Sequence, residues 1–374
     1  MKVEILKENL KTGLNISEKA VGKNLTLPIL ENVLLNTEDN FLSLSSTDLE
    51  TAIKLWILTK IVKKGKALIP VKFFSSFVSL LPDDKITLEE NSKNLHIECK
   101  NFKTQIQGYN PDEFPIIPEF TNLEYLEVDN KKFCQGLSQI VDVASPSQSR
   151  PEISGVYLVF SKNLLKMVAT DSFRLAEKTI TLEKPVKKDY SFILPQKPAR
   201  DVMNILSEKE GLLKIYISPN QTMFEFPMKE IQHPQLQVIS RLIEGEYPNY
   251  QEIIPTKFKT HITLKRDELL SQIKTASLFS GKINEVRLTV NPDRKEVEVF
   301  AQSPDLGKSQ SIISAKVDGE TMDVSFNHKF LIDGLVNIKS SEVVLDMSEK
   351  EGPCVLKPVG DASYLYVVMP IKST

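Results

Sequence analysis

The stretch Val168-Ala169-Thr170-Asp171-Ser172-Phe173-Arg174-Leu175-Ala176 decides how this sequence is organised, because an alternating strand pattern ends there in a turn. A shorter version, Ser46-Thr47-Asp48-Leu49-Glu50, lies about one third of the chain upstream. Length alone favours two or three domains over a single core for a chain of 374 residues. The offset therefore indicates one structural unit repeated three times, with the later stretch adapted for binding.

Two further landmarks recur in the same order in each third of the chain. A short strand precedes an amphipathic helix three times, with the strands at 3–6, 126–129 and 262–264. A predicted β-hairpin follows each helix, and the three hairpins begin at Asn32, Gly155 and Glu285.

A second helix in each third begins with a lysine in its first turn. The three starts are Ile69-Pro70-Val71-Lys72, Leu194-Pro195-Gln196-Lys197 and Phe326-Asn327-His328-Lys329. Alternating strands then close each unit. These landmarks predict a repeat of roughly 125 residues, far longer than a solenoid unit, so each copy is expected to be a domain with its own core.

Prolines interrupt the strand patterns at 115–118 and 253–255. We place the domain boundaries there, which gives an N-terminal domain at 1–120, a central domain at 121–256 and a C-terminal domain at 257–374. Each copy contains two helices and several hairpin strands, so we predict an α+β fold in which helices pack on antiparallel sheets.

Composition argues against several functional classes. The 47 basic and 49 acidic residues give a net charge of −2, whereas a domain that grips DNA by neutralising phosphates is usually basic, although one face can be basic while the rest is acidic. Cysteines and histidines are scattered, and no glycine-rich phosphate loop occurs, so we expect no metal and no cofactor. The start MKVEILKENL lacks a signal-peptide apolar region and no run reaches transmembrane length, so we expect a cytoplasmic protein.

Asp171 has two possible roles. It could act as a general base, but the sequence supplies no partner or reacting atom within hydrogen-bond reach. It could instead cap backbone amides of its own turn. The echo at Asp48 favours the turn role, because a catalytic group need not recur in a sister domain.

The recurring lysine also has two readings. A cation in the first turn of a helix opposes the helix dipole, so local stability does not explain Lys72, Lys197 and Lys329. The three lysines could mark a face on which every domain presents positive charge to one polyanion, or they could be ordinary solvated residues. The first helices add further cations: Lys7, Lys11, Lys19, Lys23, Lys131, Lys132, Lys265, Arg266 and Lys274.

The sequence ends in the apolar run Tyr364-Leu365-Tyr366-Val367-Val368-Met369-Pro370-Ile371. Such a run usually packs as a last strand. If it lay at the surface instead, it would form a patch suited to a partner peptide.

Together these motifs closely resemble the bacterial sliding clamp family, the beta subunit of DNA polymerase III. The resemblance spans the chain and rests on five motifs in family order: Thr26-Leu27-Pro28-Ile29-Leu30, Thr47-Asp48-Leu49-Glu50, Ala169-Thr170-Asp171 with Arg174-Leu175-Ala176, Glu244-Gly245-Glu246-Tyr247-Pro248, and Tyr366-Val367-Val368-Met369-Pro370. Each motif is weak alone, but the ordered set over a threefold repeat is highly specific.

The resemblance implies the DNA clamp fold and a head-to-tail homodimer that closes into a six-domain ring. Such a ring encircles duplex DNA, slides on it and acts as a non-catalytic processivity factor of replication. Topological linkage would explain the near-neutral charge, because a sliding ring needs only weak phosphate contacts. The implied partners are the replicative polymerase alpha subunit, the clamp loader and other proteins with short peptides that end in leucine and phenylalanine. No membrane partner is implied.

The resemblance also implies three sets of site residues. A peptide pocket between the second and third domains would contain Ile153, Thr170, Ser172, Phe173, Arg174, Leu175, Pro248, Ile253, Ile283, Asn327, Phe330, Val367, Val368, Met369, Pro370 and Ile371. The DNA-facing cations would be Lys7, Lys11, Lys19, Lys23, Lys72, Lys131, Arg150, Lys197, Lys265, Arg266 and Lys329. The dimer interface would pair Thr104 and Ile106 with Leu278 and Phe279.

Some positions depart from the family pattern. Phe173 stands where relatives commonly carry histidine, Glu252 stands at an often basic position, and the ending Ile371-Lys372-Ser373-Thr374 replaces the usual methionine, arginine and leucine. These differences predict altered peptide preference at the pocket rim. Two alternatives remain open from the residues alone: a non-catalytic triplicated scaffold without a DNA role, and an enzyme that uses Asp171.

Overall fold

The computed structural model describes residues 1–22, 27–120, 124–145 and 149–372. The chain forms two compact units. The N-terminal unit consists of Met1–Lys131 and Asp201–Leu242, and the C-terminal unit consists of Lys132–Arg200 and Ile243–Thr374.

One order of elements occurs three times: a strand, a helix, several hairpin strands, a second helix and three closing strands. The helices are α1 (Lys7–Ser17), α2 (Val71–Leu80), α3 (Asn130–Ile140), α4 (Gln196–Leu206), α5 (Arg266–Ser277) and α6 (His328–Asn337). The strands are β1 (Lys2–Leu6), β2 (Asn32–Glu38), β3 (Phe41–Thr47), β4 (Thr51–Leu58), β5 (Lys60–Lys63), β6 (Lys66–Pro70), β7 (Lys85–Asn91), β8 (Asn94–Cys99), β9 (Phe102–Ile106), β10 (Tyr125–Asp129), β11 (Gly155–Ser161), β12 (Leu164–Thr170), β13 (Arg174–Thr181), β14 (Tyr190–Pro195), β15 (Leu212–Ile217), β16 (Gln221–Pro227), β17 (Pro234–Arg241), β18 (Thr260–Lys265), β19 (Glu285–Asn291), β20 (Glu296–Ser303), β21 (Gly307–Ser314), β22 (Lys316–Gly319), β23 (Met322–Asn327), β24 (Glu342–Met347), β25 (Cys354–Pro358) and β26 (Tyr364–Val368).

The N-terminal unit contains two antiparallel sheets. One has five strands in the order β5-β1-β7-β8-β9, and the other has eight in the order β10-β15-β16-β17-β4-β3-β2-β6. In the larger sheet β17 pairs with β4 from Leu236 opposite Leu55 to Ser240 opposite Thr51. We call this pairing the β4–β17 junction, because it joins the last strand of the second repeat to the third hairpin strand of the first.

The C-terminal unit repeats that arrangement. A nine-stranded sheet has the order β14-β11-β12-β13-β26-β25-β24-β18-β22, and a four-stranded sheet has the order β21-β20-β19-β23. In the larger sheet β13 pairs with β26 from Arg174 opposite Val368 to Lys178 opposite Tyr364. We call this the β13–β26 junction. All strand pairings given for both units are antiparallel.

Side-chain periodicity explains why these segments take these conformations. In α1, Leu10 and Leu14 are fully buried and lie one turn apart on the face that packs against the sheet. In β19, Val286 and Leu288 are fully buried while Arg287 between them is half-buried, which is the period of a strand with one face in the core. The predicted α+β class and the threefold order of elements are therefore confirmed.

Helix α4 shows a similar periodicity. Val202 and Leu206 are buried and lie about one turn apart, whereas Met203 is half-buried.

Candidate functional site

The loop that joins β12 to β13 is held by side-chain hydrogen bonds to its own backbone. Asp171 Oδ1 accepts from the backbone N–H groups of Phe173 and Arg174, each at 3.0 Å. Thr170 Oγ1 accepts from the N–H of Ser172 at 3.2 Å and donates to the carbonyl of Arg174 at 2.7 Å. Ser172 is thereby held at φ 78°, a left-handed conformation that non-glycine residues seldom adopt.

The corresponding loop of the N-terminal unit has the same construction. Asp48 Oδ1 accepts from the N–H groups of Glu50 and Thr51 at 3.1 and 2.7 Å, and Thr47 Oγ1 accepts from the N–H of Leu49 at 3.0 Å. Leu49 has φ 74°. The Thr-Asp pair is therefore repeated architecture, and the interpretation of Asp171 as a turn residue is confirmed.

Asp171 also has no carboxylate oxygen left for general-base chemistry. Its Oδ1 holds the two backbone N–H groups, and its Oδ2 accepts from Arg174 Nε at 2.9 Å. A base that must take a proton needs a free acceptor beside the reacting atom.

Arg174 is the most heavily bonded side chain of this region. Besides the bond to Asp171, its Nη1 donates to Asp333 Oδ2 on α6, and its Nη2 donates to the carbonyl of Asp142 at 3.3 Å. The guanidinium carbon lies 4.7 Å from the ring centroid of Phe330. All three guanidinium nitrogens are thus engaged, so this side chain has fewer donors for a bound peptide than its residue type implies.

Phe173 and Phe330 form an aromatic pair beside Arg174. Their ring centroids are 6.4 Å apart and the planes differ by 21°, a stacked arrangement within the favourable range for aromatic pairs. Phe173 remains 62% exposed. Phe330 is fixed through its backbone, because Tyr366 Oη donates to its carbonyl at 2.8 Å.

The end of the sequence forms the last strand that its apolar pattern predicted. Tyr364–Val368 forms β26 inside the nine-stranded sheet. The residues that follow lie half-buried along the Phe173 loop and β23, since Met369 N donates to the carbonyl of Phe173 at 2.8 Å and Ile371 N donates to that of Ser325 at 2.7 Å.

The predicted pocket residues divide by accessibility. Four are exposed and seven are half-buried: Ser172, Phe173, Ile253 and Ile283 in the first group, and Arg174, Pro248, Asn327, Phe330, Met369, Pro370 and Ile371 in the second. The remaining five are buried: Ile153, Thr170, Leu175, Val367 and Val368. Four of the buried residues lie in β12, β13 and β26, and Ile153 ends the short 3-10 turn Pro151–Ile153; their place in a peptide pocket stays a prediction.

Hydrogen bonds and ring contacts connect several of the predicted pocket residues. The loop, β26 and α6 are joined through Phe173, Arg174 and Phe330 as described, and Ser145 N donates to the carbonyls of both Ile153 and Thr170. Asn327 caps α6 by accepting from Lys329 N at 3.0 Å. That these residues together bind a peptide stays a prediction.

Sequence reasoning missed a group of aromatic residues beside β13 and β26. Tyr157 and Tyr247 stack with centroids 4.6 Å apart, and Tyr250 packs on the buried cluster around Leu175 and Val367. Burial raises the pKa of Tyr250, whose hydroxyl donates to Glu177 at 2.7 Å. The sequence motif that contains Tyr247 and Pro248 was recognised, but its packing was not predicted, because Tyr157 lies far from it in the chain.

The predicted DNA-facing cations differ in how exposed they are. Lys72, Lys197 and Lys329 are exposed and each is the second residue of its helix, and Lys131 and Lys265 are exposed as well, whereas Lys11 and Lys19 are half-buried. Lys23 lies outside the described residues.

Three of these cations have contacts within the protein, and their DNA-facing role stays a prediction. Lys7 is only 9% exposed, and its backbone N–H donates to the carbonyl of Asp84. Arg266 is half-buried and donates to the carbonyl of Ile338, just after α6, at 3.0 Å. The exposed Arg150 donates to Ser172 Oγ at 3.0 Å and to Glu152, so it lies beside the Phe173 loop.

The predicted interface residues lie on β9 and just after α5. Ile106 is 3% exposed, so its side chain faces the core and only its backbone is on the sheet edge. Thr104 and Phe279 are half-buried, and Leu278 is exposed. Exposed Phe102 on β9 and Ile312 on β21 were not predicted, because a strand edge is invisible until the sheet order is known.

The described residues contain neither a candidate metal cluster nor a membrane-spanning helix. Within residues 1–22, 27–120, 124–145 and 149–372, no group of three or more histidine, cysteine or acidic side chains could hold a metal ion. No helix among those residues has the length and apolar character needed to cross a membrane.

Family models match almost the whole chain in three consecutive parts. They are the N-terminal domain of the DNA polymerase III beta subunit at residues 1–118, its central domain at 127–249 and its C-terminal domain at 251–372.

Full-length relatives and solved structures agree with those models. Beta sliding clamps from Synechococcus elongatus and Staphylococcus aureus are 27% and 28% identical, over 100% of this chain and 99% and 100% of theirs. The DNA polymerase sliding clamp from Bacillus subtilis superposes with a TM-score of 0.94 at 26% identity, and the DNA polymerase III beta subunit from Thermotoga maritima with 0.91 at 26%, each over 100% of both chains. The chain therefore belongs to the DNA polymerase III beta subunit family, the bacterial sliding clamps, which are non-catalytic processivity factors of DNA replication.

Proposed function

We propose that two copies of this chain join head to tail into a closed ring that encircles duplex DNA and slides on it. The ring would contain six domains, three from each copy, with bounds at 1–120, 121–256 and 257–374. The observation that carries the proposal is the pair of unpaired sheet edges described next.

Two junctions of one kind form within the chain, and the two strands that would form the third are not paired with each other. The third hairpin strand of the first repeat, β4, pairs with the last strand of the second, β17, and β13 pairs likewise with β26. The equivalent strands that remain are β21 in the third repeat and β9 in the first, and each is the edge of its sheet. Pairing β21 of one copy with β9 of the other would make the same junction twice and close a ring of two chains.

Exposed apolar side chains accompany both edges. Phe102 on β9 and Ile312 on β21 are exposed, as is Leu278 directly after α5. An edge strand with apolar side chains invites pairing with another chain unless it is covered. The predicted contact between Thr104 and Ile106 and the region of Leu278 and Phe279 would then include the backbone of β21 as well.

Weak cationic contacts would let such a ring slide. Lys72, Lys197 and Lys329 occupy equivalent exposed positions at the start of a helix in each repeat. In an otherwise near-neutral protein, a few exchangeable phosphate contacts suit a ring that is retained by topology.

The Phe173 loop, the start of α6 and the 367–371 segment would bind short peptides of other proteins. The candidates are the replicative polymerase alpha subunit, the clamp loader and further proteins with such peptides. Exposed Phe173 and Ile283 and half-buried Phe330, Met369 and Pro370 supply apolar side chains for such peptides. The place of action would be the cytoplasm.

Retention on circular DNA tests the central claim. The protein is loaded onto a nicked plasmid with a bacterial clamp loader and ATP, separated by gel filtration, and half of the sample is then cut once with a restriction enzyme. We expect the bound protein to stay on the circle and to leave the linear form within minutes. Equal retention on both forms would show that phosphate binding, not encirclement, holds the protein.

A lysine variant separates the role of charge from that of topology. Lys72, Lys197 and Lys329 are replaced together by glutamine, with Lys63, Lys229 and Lys295, three exposed lysines outside the helices, replaced in the control. The first variant should remain sensitive to linearisation but bind linear duplex with a salt dependence lower by about one unit for each lost phosphate contact.

A further inference from the structure

The turn that carries Phe173 does not need an aromatic residue. The equivalent turn in the N-terminal unit has the same hydrogen bonds and the same left-handed residue, yet Glu50 occupies the position of Phe173 and is exposed there. A large apolar side chain left 62% exposed on a rigid turn therefore has no role in forming that turn. Exposed apolar surface of this kind marks a place where a partner binds.

The ring of Phe173 is held in place by its neighbours. It stacks on Phe330 at 6.4 Å, and its own carbonyl accepts from Met369 N at 2.8 Å. The Phe330 ring in turn lies against the Arg174 guanidinium at 4.7 Å. We call Phe173, Phe330 and Arg174 the aromatic shelf.

Asp333 completes the support of this shelf. It lies one helical turn after Phe330 on α6, and its Oδ2 accepts from Arg174 Nη1. Asp171 accepts from Nε of the same guanidinium at 2.9 Å. Two carboxylates thus fix the plane of Arg174 and neutralise its charge, so Arg174 is oriented toward Phe330 and is not a counter-ion for an acidic ligand.

Helix α6 itself is held firmly behind the shelf. Tyr366, which is fully buried, donates to the carbonyl of Phe330, and Gly334 approaches the same ring so closely that a Cβ would lie 2.7 Å from it. The shelf is therefore preorganised, which lowers the entropy cost of binding a flat side chain.

We infer that the aromatic shelf selects partner peptides that place an aromatic side chain against Phe173, and that Asp333 is the positioning residue for this selection. The inference rests on the proposed peptide-binding function. The shelf offers an aromatic surface for stacking. Asp171 and Asp333 both bind Arg174, so two negative charges face one positive charge. The excess negative charge disfavours an acidic side chain on the peptide. An aromatic side chain is the neutral group that gains most from such a surface.

A peptide panel tests the inference. Fluorescein-labelled ten-residue peptides ending in leucine and phenylalanine carry tyrosine, glutamine or glutamate at each upstream position in turn, and fluorescence anisotropy gives Kd for the full-length protein. We expect one upstream position at which tyrosine binds roughly three- to tenfold tighter than glutamine, with glutamate weakest. The preference should vanish in Phe173→Ser, because the tyrosine peptide should lose more affinity than the glutamine peptide.

Asp333→Asn tests the positioning role, because it keeps the side-chain size and removes the charge that holds Arg174. It should reduce the tyrosine-over-glutamine ratio, chiefly through weaker binding of the tyrosine peptide, and leave the thermal unfolding temperature nearly unchanged, whereas Asp333→Glu should restore part of the ratio. Leu58→Ser, at an exposed leucine of the N-terminal unit, is the matched control and should change nothing.

The outcomes are distinguishable. If no peptide of the panel binds the folded wild-type protein, the proposed peptide site fails and the inference fails with it. If peptides bind but no position prefers tyrosine, or the preference survives Phe173→Ser, only the inference is overturned. A preference that is lost in Phe173→Ser but intact in Asp333→Asn would overturn the role given to Asp333.

Discussion

At the scale of single residues, two aspartates hold equivalent turns. Asp48 and Asp171 each accept backbone N–H groups of their own turn, and Asp171 also accepts from Arg174 Nε with its second oxygen. The repeat made the turn role predictable from sequence. The link from Arg174 to Asp333 was not predictable, because it joins residues 159 positions apart and no local pattern marks it.

Replacing either aspartate by alanine should weaken its unit, because two backbone N–H groups lose their acceptor. We expect each change to lower the free energy of unfolding by about 1–2 kcal/mol, measured by urea unfolding. Only Asp171→Ala should also weaken peptide binding, through the release of Arg174. Equal loss of peptide affinity in Asp48→Ala would contradict the assignment of the peptide site to the Phe173 loop.

Glu38 should make stability sensitive to acid. Although burial alone would raise its pKa, hydrogen bonds from Trp56, Ser43 and Lys54 and the charge of Lys54 hold the pKa of this carboxyl below its usual value. A carboxyl with a lowered pKa in the folded state contributes stability above its unfolded pKa and loses it as the pH falls through the folded one.

Thermal unfolding between pH 3 and 7 measures this contribution. The wild-type protein should lose stability below about pH 4.5, and Glu38→Gln should be less stable at pH 7 but show a shallower acid-side decline. A decline of the same steepness in both proteins would show that other carboxyls dominate.

At the scale of elements, the order of helices and strands followed from the repeat, but the junctions between repeats did not. Each strand's alternation and each helix's spacing are local properties, so β1, α1 and their counterparts were visible in the sequence. The β4–β17 junction brings together Thr51 and Ser240, and only the assembled sheet shows that pairing. The same reason explains why the burial of Lys7 and Ile106 was missed.

Helix α6 offers a sharp test of packing. A Cβ on Gly334 would lie 2.7 Å from the Tyr366 ring, and that ring is buried and hydrogen-bonded to Phe330. Gly334→Ala should therefore destabilise by about 1–3 kcal/mol, despite the better helix propensity of alanine.

The matched control is Gly136→Ala in α3. There the nearest atoms are the flexible ends of Met167 and Ile180 at 3.0 and 3.1 Å, which can give way, so we expect a change of less than about 1 kcal/mol. Unfolding midpoints in urea decide between the two sites. Equal losses of stability in the two variants would show that the Tyr366 ring can shift away from a new Cβ as readily as the Met167 side chain can.

At the scale of the whole molecule, Leu278→Asp should dissociate the proposed dimer. Leu278 is 70% exposed and lies at the proposed contact, so a buried unpaired carboxylate there would be costly. Sedimentation equilibrium at micromolar concentration should give a dimer for the wild-type chain and a monomer for the variant.

Leu58→Asp is the control for that experiment, because Leu58 is 68% exposed and ends β4, which belongs to a different sheet from β9 and from β21. It should sediment as a dimer. A monomeric wild-type protein, or a Leu278→Asp variant that stays dimeric, would count against pairing at these edges.

The two unpaired edges have a consequence for how such a ring would open. The β4–β17 and β13–β26 junctions join strands of one polypeptide, so the covalent linkers keep their halves at a high effective concentration whatever the dilution. In the proposed ring the β9–β21 junctions have the same architecture but no linker, and only mass action holds them closed. A loading machine would therefore need to oppose just one interface of defined strength, and the chain's own folding stability would remain untouched while DNA passes through.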